Sequence, residues 1–264
     1  MVAIVNHRNL QEVQKLPFCY SCGAALARTD TVNRDHVPAR ACFAAADRIR
    51  PLILRAHSTC NDSYKVSDER VGQFISLRHG RVPAKKNKRL SIKYFSDPKT
   101  GQLHGAVDNV NILGAVERWV RAFHAALYRE PLPPTTRFGI ETPFAIAIPT
   151  SSGVKLDTGR KQHLLFVEKL KTNRAFGNID RLVSNNGKLV YECVWEQATN
   201  GNWICMFALD IYDWKDLGRQ STGVAKGCVG FYQHLAATPP MVASVTTKLS
   251  AASTNLEPLD PFGI

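Results

Sequence analysis

Cys19-Tyr20-Ser21-Cys22 and His57-Ser58-Thr59-Cys60 set three thiols and one imidazole in two clips, each with two residues between its ligands. Thiolate and imidazole donors in paired clips suit a closed, tetrahedral structural zinc site. The surrounding segment is poor in large apolar residues, so a bound metal would supply folding free energy that a small core lacks. Between the clips stands Asp35-His36-Val37-Pro38, and after the second clip come Asn61 and then Lys65-Val66-Ser67-Asp68-Glu69. Neighbouring residues on an extended strand point to opposite sides, so Asp35 and His36 are free to do different work. One suits a hard cation, and the other suits proton removal from water. An Asp-His pair by itself reads first as a hydrogen-bonded turn. Its place between two metal clips is what marks it.

The order Cys-x-x-Cys, Asp-His-Val-Pro, His-x-x-Cys-Asn, Lys-x-x-Asp-Glu resembles the HNH (His-Me finger) nucleases, in particular a zinc-containing bacterial subgroup. The resemblance covers residues 16–77. It implies a ββα unit, Asp35 as ligand of a catalytic Mg²⁺ or Mn²⁺, His36 as general base, and Asn61 holding the His-bearing loop by hydrogen bonding. The family's helix ligand is usually His or Asn, whereas this chain offers Asp68 or Glu69, with Glu69 nearer the expected spacing. Residues 118–123, Arg-Trp-Val-Arg-Ala-Phe, resemble a helix that follows such modules. The implied activity is metal-dependent endonucleolytic cleavage of DNA, nicking or cutting both strands. Two alternatives stay open: an RNA-cleaving effector using the same site, and a zinc-ribbon module that binds nucleic acid without cleaving it. Proteins of this kind occur in phage and in defence systems.

The charge balance agrees with a polyanionic partner. The 264 residues carry 34 Lys and Arg against 22 Asp and Glu, a formal charge of +12, and a surplus of that size favours nucleic acid by counterion release and steering. Arg50, Arg55 and Lys65 lie close to the motif residues and are candidates for flanking phosphates. A basic tract follows, including Lys85, Lys86, Lys88 and Arg89, and reads either as phosphate contact or as a solvated linker. No apolar run approaches the ~20 residues of a spanning helix. The opening residues lack the pattern of a secretory leader, and the seven cysteines are too sparse for a disulfide scaffold. The expectation is a reducing cytoplasm and no membrane contact.

The positioning elements follow from periodicity. Residues 50–56 read as a strand and the stretch from about Asp62 as a helix with Tyr64, Val71, Phe74 and Ile75 on one side. Val116, Trp119, Val120, Phe123 and Leu127 form an apolar helical stripe that ends at the prolines of residues 131–134. His124 beside it is expected to be exposed or hydrogen-bonded. Asn185-Asn186-Gly187 and Thr199-Asn200-Gly201 punctuate aliphatic and aromatic runs, which predicts an antiparallel meander of at least three strands. The fold class expected is α+β: an N-terminal zinc-stapled ββα module over residues 1–80, followed by a mixed helix and β-meander region over 81–264. That second region could bind DNA, sense a ligand, form a homodimer or meet a partner protein.

Overall fold

The computed structural model describes residues 2–78, 92–96, 103–107, 109–141, 146–150, 153–157, 160–212 and 228–234. In chain order the elements begin with β1 (Ala3–Ile4), α1 (His7–Glu12), β2 (Val32–His36), β3 (Ile53–His57), α2 (Ser58–Asp62) and α3 (Lys65–Arg78). Next come β4 (Ile92–Ser96), β5 (Leu103–Val107), α4 (Ile112–Tyr128), β6 (Phe138–Glu141), β7 (Ile146–Thr150) and β8 (Gly153–Asp157). The chain continues through α5 (Arg160–Ala175), β9 (Asp180–Ser184), β10 (Leu189–Gln197), β11 (Trp203–Ile211) and β12 (Cys228–His234). The protein is mixed α+β. The basic residues Lys85, Lys86, Lys88 and Arg89 lie outside the described residues.

The meander is present and larger than its turn signals required. Six strands run in the order β1-β9-β10-β11-β12-β6. Asn185, Asn186 and Gly187 all take positive φ between β9 and β10, which is what Asn and Gly tolerate best. Along β10 and β11 alternate residues serve two faces. Tyr191, Cys193, Cys205 and Phe207 join the main core, while Val194 and Met206 pack with Leu170 of α5 in a smaller cluster. Arg174 of α5 is paired with the buried Glu192 of β10, fastening the helix over that second face.

Helix α4 lies against the first face. Its stripe is buried as the 3.6-residue period requires: Val116, Trp119, Val120, Phe123 and Leu127 are all within the core. His124 is fully buried rather than exposed, with Nδ1 2.8 Å from the Tyr232 hydroxyl and Nε2 3.2 Å from Glu130. The helix ends at Arg129, which takes the left-handed conformation before the proline-rich stretch. Arg121 then donates to the carbonyls of Leu132, Pro133, Pro134 and Thr136 and holds that stretch down.

The hydrophobic core is shared between early and late segments of the chain. One contiguous cluster includes Val13, Tyr20, Leu54 and Val71 from the N-terminal part and Trp119, Phe123, Tyr191 and Phe207 from the rest. Strand β1 also pairs in parallel with β9, aligning Ala3 with Arg181 and Ile4 with Leu182.

Helix α3, which carries Asp68 and Glu69, seats closely on the turn that follows β2. A Cβ on Gly72 would stand 2.5 Å from the Ala41 Cβ and 2.9 Å from its carbonyl carbon and oxygen. Backbone cannot retreat cheaply at that distance, so α3 would have to lift. Gly72→Ala is expected to destabilise the fold by about 1–3 kcal/mol, the usual cost of overpacking, as read from chemical denaturation.

Candidate metal centre and Asp-His site

The first clip is made by a tight turn. The amide of Gly23 donates to the carbonyl of Cys19 at 2.8 Å, and Gly23 has a φ of +79°, a conformation that favours glycine. That turn directs the Cys19 and Cys22 thiols to the same side as the end of β3. The second clip straddles a change of element: His57 is the last residue of β3, and Cys60 lies in α2. The amide and hydroxyl of Ser58 both donate to the Thr31 carbonyl at 2.9 Å, which sets where α2 begins.

These four residues converge. The Sγ atoms of Cys19, Cys22 and Cys60 and a ring nitrogen of His57 all lie within 4.8 Å of one another, a group able to hold a metal ion. Cys22 Sγ is 3.4 Å from His57 Nδ1. A tetrahedral ion with bonds of about 2.0–2.3 Å holds its ligands at comparable separations, so the donor set and the spacing fit zinc. Burial, and then the crowding of Cys19 and Cys22, push the Cys60 thiol up to about 12. Three packed sulfurs therefore favour a cation among them if they are to be thiolates.

Asp30 was not among the sequence candidates. Its Oδ2 lies 3.4 Å from His57 Nε2 and accepts from the Ala27 amide at 2.7 Å. A carboxylate on the outer nitrogen orients the ring and directs Nδ1 toward the metal position. Asp30→Asn should weaken zinc affinity by about 10–100-fold, measured by competition with a chromophoric chelator. The sequence signal was weak, an acid five residues before the Asp-His pair with no motif around it.

Strand β2 pairs with β3 in antiparallel register, with Asp35 opposite Leu54 and His36 opposite Ile53. The pleat separates Asp35 from His36 as the strand period requires. Asp35 turns inward with Leu54 and Ala56, which are fully buried. His36 is on the other face with Arg34 and Arg55, a directly opposed pair, and is half-buried. Burial first, and then the charge of Arg40, hold its imidazole below the ordinary value of 6.5, with Arg34 and Arg48 acting in the same direction and Asp35 opposing. His36 is therefore a neutral base at neutral pH, set among cations.

The inward face holds a different arrangement. Asp35, 6% exposed, accepts from the Tyr20 hydroxyl and from Arg118 Nη2 at 2.7 Å. With its amide nitrogen turned toward Asp35, the orientation that keeps like groups from facing each other, Asn61 donates to both carboxylate oxygens at 3.2 and 3.1 Å. Asn61 thus anchors the residue beside His36. Asp68 accepts from Arg118 Nη1 at 2.7 Å, and Arg118 Nε donates to Tyr20 Oη at 2.9 Å. Asp68 is in the cluster with Asp35, both held by Arg118. Desolvation raises the Asp68 carboxyl, and Arg118 works against that shift.

The remaining cationic candidates fall in varied places. Arg50 is exposed with a φ of +53° in the turn before β3, and Arg55 is half-buried on the His36 face. Lys65 is exposed and paired with Asp62 at 2.8 Å. The arginines that act on His36, namely Arg34, Arg40 and Arg48, were not nominated, although two of them lie within four residues of it in sequence.

Two metals were expected, and their fit differs. The Cys19, Cys22, His57 and Cys60 group fits one. The Asp35 and Asp68 carboxylates, as placed here, do not fit a hard divalent ion, because a guanidinium already bridges them. Comparison with family models, with curated proteins and with solved structures finds no match. Among the described residues no helix is long and apolar enough to cross a membrane.

Proposed function

We propose that this protein is a zinc-stapled endonuclease of the HNH kind that hydrolyses phosphodiester bonds of DNA, with His36 as general base. The observation that carries the proposal is a half-buried imidazole at the end of β2, on the face opposite the anchored Asp35 and beside the opposed Arg34 and Arg55, with burial and then Arg40 holding its pKa down. A base needs the deprotonated imidazole, and a phosphate approaching it needs cations nearby. His36 takes a proton from water as the water attacks phosphorus. The P–O bond to one sugar oxygen breaks, that oxygen departs and is protonated from solvent, and the arginines offset the charge that accumulates on the phosphoryl oxygens. Tyr20, Asn61 and Arg118 act through Asp35, keeping the end of β2 in place.

Zinc at Cys19, Cys22, His57 and Cys60 holds the turn and α2 together and takes no part in the chemistry. A catalytic Mg²⁺ or Mn²⁺ on Asp35 with Asp68 or Glu69 belongs to the family resemblance, and no step is assigned to it because Arg118 bridges those two aspartates.

The test is conversion of supercoiled plasmid to nicked or linear forms by the zinc-loaded protein, beside His36→Ala. Parallel assays on single strands and structured RNA separate the RNA-cleaving alternative. Tight binding to any of these with no cleavage under any condition would favour the zinc-ribbon binding module instead.

A further inference from the structure

We infer that Arg118 is the built-in cation of the Asp35–Asp68 pair, standing where a bound divalent ion would otherwise have to sit. Its guanidinium is 2% exposed and reaches both carboxylates at 2.7 Å through separate nitrogens. Nε is used on Tyr20 Oη, and Cζ lies 4.3 Å from the centre of the Tyr64 ring. A carboxylate offers about four lone-pair sites. Asp35 Oδ2 already receives Tyr20, Arg118 and Asn61, and Oδ1 receives Asn61 again. A magnesium-type ion requires near-octahedral oxygens at about 2.0–2.1 Å and keeps several waters. The guanidinium, with the Tyr64 ring beside it, already bridges the two carboxylates.

The bridging residue comes from α4, 83 positions beyond Asp35 in the chain. The charge balance of the Asp-His strand is thus completed by a helix outside the segment that carries the motifs. Lysine would not replace it, because a single ammonium lacks the planar fork that reaches two carboxylates and a phenol at once. Arg118 is a positioning residue in this arrangement, and its role does not depend on whether the chain cleaves nucleic acid.

The experiment is a Mn²⁺ titration of the full-length, zinc-saturated protein, following free Mn²⁺ by electron paramagnetic resonance. Wild type is expected to leave the free-ion signal at its buffer value. Arg118→Gln uncovers two carboxylates and should bind Mn²⁺ at least about tenfold more tightly than wild type, since affinity follows ligand charge. That gain should vanish in the Arg118→Gln, Asp68→Asn double variant. One equivalent of Mn²⁺ held by wild type and lost in Asp35→Asn overturns the inference. A folded Arg118→Gln protein that binds no Mn²⁺ overturns it too, since the guanidinium would then replace nothing. Should Arg118→Gln fail to fold, the wild-type and Asp35→Asn titrations decide the matter. Loss of plasmid cleavage in His36→Ala is a separate readout and leaves these outcomes untouched.

Discussion

Cys22→Ser protein is expected to lose its bound zinc and its cooperative melting transition together. Elemental analysis should fall from about one equivalent per chain, the content of a single tetrahedral site, to near zero. The size of the effect follows from two magnitudes. Structural zinc contributes about 10–16 kcal/mol of apparent binding free energy in small zinc modules, while whole domains are stable by only about 5–15 kcal/mol. Loss of the ion therefore rivals the entire stability of the fold. The damage would also spread beyond the clips. Tyr20 lies between the two cysteines of the first clip and is fully buried, with its hydroxyl joined to Asp35 and Arg118. If the Cys19–Gly23 turn opens, that phenol leaves the network that anchors Asp35. An unchanged melting curve for Cys22→Ser would show that the four ligands do not hold a structural metal.

His36→Ala is expected to lower cleavage by about 10²–10⁴-fold while leaving zinc content and the melting transition in place, the range for removal of a positioned general base. The pH profile distinguishes this role from simple disturbance of the strand. The neutral imidazole is the active form, and burial and then Arg40 depress its pKa from 6.5. Activity should therefore be flat at pH 7–8 and fall as pH drops through a midpoint below about 6.5, the ordinary value for histidine. A midpoint above 7 would contradict a base set among arginines. Undiminished cleavage by the alanine variant would remove His36 from the mechanism altogether.

Arg118→Gln, Asp30→Asn and Gly72→Ala examine the supports of these two sites. Each perturbs a contact made far from the motif residues in sequence or outside any motif. The strand pair β2 and β3 places Asp35 and His36 on opposite faces, but the strands leave open what each face meets. Packing of α4 supplies Arg118 to one face, and the turn after β2 supplies Arg40 to the other.

Local patterns decided what the sequence alone could determine. The two clips named Cys19, Cys22, His57 and Cys60 because ligand spacing within a turn is a short-range property, and they converge. The apolar stripe of α4, the presence of α3 (which begins at Lys65 rather than near Asp62) and the Asn-Gly turns of the meander were legible for the same reason, since short-range patterns are written in neighbouring residues. Tertiary structure decided the partners. The parallel pairing of β1 with β9, the burial of His124 against Tyr232, and the bridge from Arg118 to Asp35 and Asp68 join residues far apart in the chain. An arginine on a helix carries no local sign of where its charge will be used. Only when α4 is packed against the core does its polar edge meet the two aspartates, where a buried charge must be paired.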